Sequence, residues 1–336
     1  MIDRNSDLEL LAFPFDQYQR YRDVREIVDH IQAHQEHKPV TMLDVGGSPT
    51  AWAFLAGYQV VTANLEAAES ISLQCNGTRL PVRDACFDIV VSVDTLEHLK
   101  QDERQAFVQG LVRAARSYVI FTGPYANGYN EYVEQTLEVF LSESLGIEHH
   151  FLREHIRNGL PSLELCMHWL GQVGVDSIAI PSGYLHHWLP LMIIRYSLSS
   201  LSNGRDLIAD LDRLYNLKRY WADHRPPAYR QLVVAAKENA PVPLSEIEEL
   251  FKAPRVHDAP DLDSIIATWQ ALRWQKELQT REQMIDEKTR DIERLQALVS
   301  KYESGRFMRL MAALRDLVGT LKGSRDTSPP DLVSDS

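Results

Sequence analysis

The residues best able to do chemistry gather in one stretch, Val40 to Leu99. It opens with Val40-Thr41-Met42-Leu43-Asp44-Val45-Gly46-Gly47-Ser48-Pro49-Thr50, an apolar strand that breaks into a glycine turn ahead of a helical run. Gly46 and Gly47 accept backbone angles closed to other residues and let a ligand approach the main chain. Asp44, just before them, either orients the turn or meets a cationic ligand. A second strand, Gln59 to Leu65, ends on Glu66, where a carboxylate accepts hydrogen bonds from both hydroxyls of a ribose. A further strand, Phe87 to Val93, ends on Asp94, with His98 just beyond it. Strand, glycine turn, helix, strand and acid together predict the nucleoside-binding half of a doubly wound α/β sheet. Taken alone, Gly46-Gly47 reads equally well as a tight strand-to-helix turn.

These groups need elements to hold them. A helix is predicted over residues 7–34, where Tyr18, Tyr21, Val24, Val28 and Ile31 recur at helical spacing. It either packs over the sheet edge or brings Tyr18 or Tyr21 over the ligand. His30, His34 and His37 read as its solvated face. A helix over Gln101–Ala115 leads to a strand over Ser117–Thr122, ended by Gly123-Pro124-Tyr125. That order puts Asp94, His98 and Tyr125 at the mouth of the ligand crevice. After a helix over Tyr132–Leu145 comes Gly146-Ile147-Glu148-His149-His150-Phe151-Leu152-Arg153-Glu154-His155-Ile156. His150 and Glu154 are four apart and share a helix face. Two readings stand: a base with its orienter or part of a metal site, or a polar face with Phe151, Leu152 and Ile156 buried.

The last sheet strands are predicted at Gly174–Pro181 and Arg230–Lys237, with helices over Tyr184–Leu201 and Asn203–Ala222 inserted between them. Insertions of this size serve as lids or binding loops. Trp188, Tyr196 and Tyr220 line an acceptor pocket there or form the insertion's own core. Residues 239–260, rich in proline and charge, read as a linker with a short helix at Leu244–Lys252. Residues 261–322 read as a helical extension. Leu278, Ile285, Ile292 and Val299 repeat every seventh residue, but the partner seam of Trp274, Arg281, Lys288 and Leu295 is weak. Homodimerisation through this helix is an expectation. Arg306–Lys322 is basic and amphipathic, suited to peripheral membrane contact or a partner helix. The tail, 323–336, is predicted disordered.

Length and charge set bounds. The chain has 336 residues, 44% hydrophobic, with a formal net charge of −12. That charge disfavours a broad nucleic-acid surface. The three cysteines, Cys75, Cys86 and Cys166, form no C-x-x-C pair, which suits a reducing cytoplasm and gives no zinc site, so no metal is expected. No secretory signal is visible at the N-terminus, and no run reaches the ~18 apolar residues of a membrane span.

The turn lacks the second and third glycines of G-x-G-x-x-G, which disfavours a nicotinamide dinucleotide. Leu43-Asp44-Val45-Gly46-Gly47, with Leu80-Pro81-Val82 and Phe87-Asp88 through Leu99, instead resembles the class I S-adenosylmethionine (SAM)-dependent methyltransferases. The resemblance covers residues 40–122 well and implies an α/β, Rossmann-like seven-stranded methyltransferase sheet over residues 1–238. Here the sheet carries a helical insertion (183–224) and a long C-terminal helix. It implies that Asp44, Gly46 and Gly47 surround the methionine part of SAM, with Ser48 also in the cofactor site, that Glu66 takes the ribose, and that Asn76 and Gly77 face the adenine. Asp94 falls at the cofactor's edge. The sequence departs from the family pattern at Ser48 and Thr50, where glycine is frequent, and at Asn76, where an acid is usual. Phe151–Pro161 and Lys301–Leu310 resemble stretches of bacterial methyltransferases of surface-polysaccharide synthesis. The resemblance therefore implies O-methylation of a sugar or glycan hydroxyl, with His98, or His150 backed by Glu154, as the base. The alternative is a methyltransferase-fold scaffold that acts through its C-terminal helix.

Overall fold

The computed structural model describes residues 8–35, 39–69, 71–201, 204–252 and 262–323. Two compact units divide the chain, Met1–Pro260 and Asp261–Ser336.

The first unit is built on a seven-stranded sheet in the order β3-β2-β1-β4-β5-β7-β6. Its strands are β1 (Thr41–Val45), β2 (Gln59–Asn64), β3 (Leu73–Gln74), β4 (Phe87–Val93), β5 (Ala115–Pro124), β6 (Asp176–Tyr184) and β7 (Ala228–Ala236). The first five run parallel, and β7 lies antiparallel to both β5 and β6. This is the class I methyltransferase sheet expected from the sequence.

Both faces of the sheet are buried, and alternation along each strand divides its side chains between two cores. Met42, Ile89, Val91, Ile120, Leu232 and Val234 face one side. There they meet Val24, Ile27, Val28 and Ile31 of α1 (Phe15–Ala33). Leu43, Val90, Val119, Phe121 and Val233 face the other. They pack on Phe107, Val108 and Leu111 of α3 (Gln101–Ala114), the helix that follows α2 (Pro49–Phe54). Cys166 and Leu170 of α6 (Leu163–Gln172) complete this second core. Each fully buried Leu, Ile or Phe contributes about 1.5–3 kcal/mol, so these two layers hold the strand ends in place.

Between β5 and α6 lie α4 (Tyr129–Val139) and α5 (His150–Asn158). The insertion between β6 and β7 consists of α7 (Leu185–Ser199) and α8 (Gly204–Lys218), followed by a short turn of helix at Tyr220–Asp223. Trp188 and Tyr220 are core residues. Trp188 stacks on Tyr229 with ring centroids 3.6 Å apart, and Tyr220 meets Tyr18 edge to face. Tyr18 is thus spent on packing.

The stretch read as a linker is in part a piece of the sheet domain. Val242, Ile247 and Phe251 are buried in the first core, the latter two on α9 (Leu244–Lys252). The Tyr118 hydroxyl donates to the Val242 carbonyl and accepts from its N–H, both at 2.7 Å. Residues 253–260 lie outside the described residues, as do His37 and the tail beyond residue 323.

The second unit comprises α10 (Leu262–Glu303) and α11 (Arg306–Gly323), separated at Gly305. Leu278, Ile285, Ile292 and Val299 are exposed. No helix among the described residues is long and apolar enough to cross a membrane.

Candidate active site

The carboxyl ends of β1, β2, β4 and β5 open on one crevice, as doubly wound sheets require. At the end of β1 the chain turns through Gly46, whose φ is +82°. A Cβ on Gly46 would lie 2.2 Å from the Thr95 hydroxyl, and one on Gly47 would lie 2.4 Å from an Asp44 carboxylate oxygen. The two glycines thus let Thr95 and Asp44 close on the turn. Asp44 is fully buried, and neither of its carboxylate oxygens has a hydrogen-bond partner. Burial pushes its pKa up to about 7. Ser48 shares a hydrogen bond of 2.9 Å with the Tyr21 hydroxyl, so α1 reaches the turn through Tyr21.

Strand β2 ends at Asn64, two residues short of Glu66. The Asn64 amide donates to the Gly47 carbonyl at 2.9 Å, and its Oδ1 accepts the Glu66 N–H at 3.3 Å. Asn64 therefore occupies the strand-end position expected for Glu66. The Glu66 carboxylate is exposed beside it. Asn76 is exposed, and its Oδ1 accepts from both the N–H and the hydroxyl of Thr78, at 2.9 and 2.8 Å. It caps the short helix Gly77–Arg79, and the oxygen meant for an adenine amine is engaged locally. Gly77 packs against the Phe107 ring, which a Cβ would approach to 2.6 Å.

Asp94 is not a free strand-end acid. Arg20 of α1 donates to it, and Arg230 of β7 donates from Nε at 3.0 and 3.1 Å and from Nη2 at 2.8 Å. Arg230 also reaches Asp16 at 2.8 Å, where the Trp188 indole donates at 2.7 Å. Burial opposes the Asp94 charge, but Arg20 and Arg230 outweigh it and hold the carboxyl well below the usual range. This network ties α1, β4, β7 and the insertion into one wall of the crevice.

Beyond β4, the turn Leu96–His98 starts a second group. Glu97 is fully buried, lies against Gly123 at the end of β5, and neither of its carboxylate oxygens has a partner. Burial and the Asp94 charge push it up to about 8. His98 Nδ1 lies 2.9 Å from Glu154 Oε2, and His98 Nε2 lies 3.3 Å from His155 Nε2. His155 Nδ1 in turn lies 2.9 Å from Glu134 Oε1, which also accepts from the Tyr229 hydroxyl at 2.7 Å. Burial works against the His155 imidazolium, but the Glu134 hydrogen bond and the nearby carboxylates raise its pKa. Burial and His155 lower that of His98 despite Glu154.

The expected pairing of Glu154 is corrected here. Its histidine is His98, while His150 is exposed and its ring meets that of Phe151. Phe151 and Ile156 are exposed too. Leu152 and His155 form the buried face of α5, three residues apart on the helix. Tyr125, expected at the mouth, is buried in the second core. Asn64, Glu97, Glu134, His155, Arg20 and Arg230 were not singled out by sequence.

Residues 43–121 match the family model described as a methyltransferase domain. These residues carry the first strands of the sheet, and the match indicates SAM-dependent methyltransferase activity. Among solved structures the chain is similar to a SAM-dependent methyltransferase from Archaeoglobus fulgidus, at 13% identity over 65% of this chain and 94% of that one, with a TM-score of 0.39. It is also similar to magnesium protoporphyrin IX methyltransferase of Synechocystis PCC 6803, at 12% identity over 66% and 84% of the two chains, with a TM-score of 0.39. Likenesses at this level carry no argument about substrate or mechanism. Comparison with curated proteins gives no match.

The donor set fits the cofactor. Asp44 offers two buried acceptors with no donor beside a glycine turn, and a cationic ligand end supplies the missing donors and charge. Bound there, SAM supplies an electrophilic methyl group on a sulfonium.

Proposed function

We propose that the protein transfers this methyl group to a hydroxyl oxygen of a sugar or glycan in polysaccharide synthesis. The single observation that carries the oxygen acceptor is the His98–Glu154 pair at the crevice end of β4. An amine acceptor needs no dedicated base, whereas a hydroxyl must lose its proton as it attacks. Glu154 holds His98 through Nδ1, which leaves Nε2 with the lone pair and directed into the cluster. SAM, held by Asp44 and the glycine turn, would supply the methyl group, and His98 would take the proton of the acceptor hydroxyl at Nε2.

In this reading Asp44, Gly46, Gly47 and Ser48 hold the methionine end of the cofactor. Asn64 and Glu66 together face the ribose, and Asn76 with Gly77 borders the adenine. Asp94 acts through Arg20 and Arg230 as a positioning residue. The glycan assignment leans on the resemblance of Phe151–Pro161 to surface-polysaccharide methyltransferases. Self-association through the exposed seven-residue repeat on α10 and a cytoplasmic site, which suits three unpaired cysteines, belong to the same reading.

Incubation with SAM labelled in the methyl group and a panel of sugars, sugar nucleotides and lipid-free glycans tests it. Label in an alkali-stable ether linkage is expected, and His98→Ala should lower the rate by about 10²–10⁴-fold while cofactor affinity holds. Label found only on nitrogen, or a rate indifferent to His98→Ala, refutes the reading.

A further inference from the structure

We propose that Glu97, His98 and His155 form a binding site for a divalent transition-metal ion, best suited to Zn²⁺. One nitrogen from each histidine and one Glu97 oxygen all lie within 4.8 Å of one another. The two Nε2 atoms are 3.3 Å apart. Two Zn–N bonds of about 2.05 Å at a tetrahedral angle separate their nitrogens by about 3.3 Å.

The surroundings argue the same way. A metal-bound histidine ordinarily donates its other ring N–H to a carboxylate, which fixes the tautomer. Both histidines have that partner: Glu154 at His98 Nδ1 and Glu134 at His155 Nδ1, each at 2.9 Å. Glu134 is itself held by Tyr229. With both Nδ1 atoms donating, the two Nε2 lone pairs point at each other. Lone pairs at that distance repel unless a cation lies between them, either a proton or a metal ion. Glu97 decides between these. A shared proton leaves both buried oxygens of the Glu97 carboxyl without a partner, whereas a metal ion takes one of them as the third ligand as the carboxyl gives up its proton. Two histidines and one carboxylate leave positions open for water or an oxygen ligand, as in catalytic zinc and non-haem iron sites.

The group of His30, His34 and Glu246 also has ligand spacing, but His34 and Glu246 are exposed. His34 Nδ1 there bonds the His30 carbonyl instead of a carboxylate. It serves as the control.

The inference does not rest on the acceptor reading, since it concerns the ion alone. The two roles of His98 alternate: without the ion its Nε2 is free to take the acceptor proton, and with the ion bound an open coordination position would hold the acceptor oxygen and lower its pKa instead.

The test uses the full chain, treated with chelator and dialysed, without SAM or acceptor. Zn²⁺ is titrated by calorimetry and Co²⁺ by its visible ligand-field bands. One buried equivalent is expected, with His34→Ala unchanged. Glu97→Gln and His155→Gln should each weaken binding by at least about tenfold, with circular dichroism to check the fold. If either fails to fold, Glu134→Gln, one shell further out, should still cost about 10–100-fold in affinity. A wild-type chain that takes up neither ion overturns the proposal. So does uptake that His34→Ala abolishes and the Glu97, His155 and Glu134 variants leave unchanged. Either result leaves methyl transfer to be judged by its own assay.

Discussion

Asp44 is a carboxyl buried without a donor, and its cost has a pH signature. Burial raises its pKa from 3.8 to about 7. The folded protein therefore keeps a proton that the unfolded chain releases across that window. Stability is highest below it and falls as the pH rises through it. Asp44→Asn removes the dependence. On the alkaline side of neutrality the ligand-free variant should melt higher than the wild type, by up to about 4 kcal/mol at about 1.4 kcal/mol per pK unit. In mild acid the gap should close. Thermal melts at the two pH values check this, and an unchanged pH slope in the variant would refute it. In the proposed reading, this buried carboxyl would meet the cationic end of the cofactor, so stability of the free enzyme would be given up for binding.

At the scale of elements, the crevice wall depends on one residue of β7. Arg230 bonds Asp94 beyond β4 and Asp16 in α1, and it is almost fully buried. Arg230→Met leaves buried carboxylates short of a counter-charge, and removing one partner of a buried pair costs about 3–5 kcal/mol. Urea unfolding should show that loss. Lys252→Ala on α9, whose pairs with Glu248 and Glu249 are exposed and screened by solvent, should shift the transition far less. Equal shifts for the two variants would contradict this account of the wall.

The elements themselves were legible. Met42-Leu43 and Ile89-Val90-Val91 are runs buried on both faces, and their ends lie where glycine and acid break the pattern. The end of β2 was not, because pairing sets it: Ala63 and Asn64 pair with Leu73 and Gln74 of β3, a strand of two residues with no pattern of its own. Asn64 thereby takes the place expected of Glu66. His155 escaped for a related reason. Its burial arises from α5 docking beside Glu134 of α4, and nothing local distinguishes it from exposed His150.

For the whole molecule, every residue of both cores falls between Leu10 and Phe251. A chain ended after Pro260 should keep the cooperative unfolding of the full protein and its affinity for SAM. Loss of the transition would mean that residues 261–336 belong to the fold. The tail of the sheet domain was the least legible part at this scale. Prolines and charges from residue 238 onward carry the composition of a linker, yet Val242, Ile247 and Phe251 complete the core under β5 and β6.

The central claim is that the Asp44–Gly46–Gly47 turn holds the methyl donor. Calorimetric titration of the full chain with SAM, alongside Asp44→Asn and Glu66→Ala, tests it most directly. The account predicts one equivalent bound with a dissociation constant on the order of micromolar, about −8 kcal/mol. Asp44→Asn should lose that binding and Glu66→Ala should weaken it. A folded wild-type chain that takes up no SAM, or an Asp44→Asn variant that binds as tightly as the wild type, would contradict it.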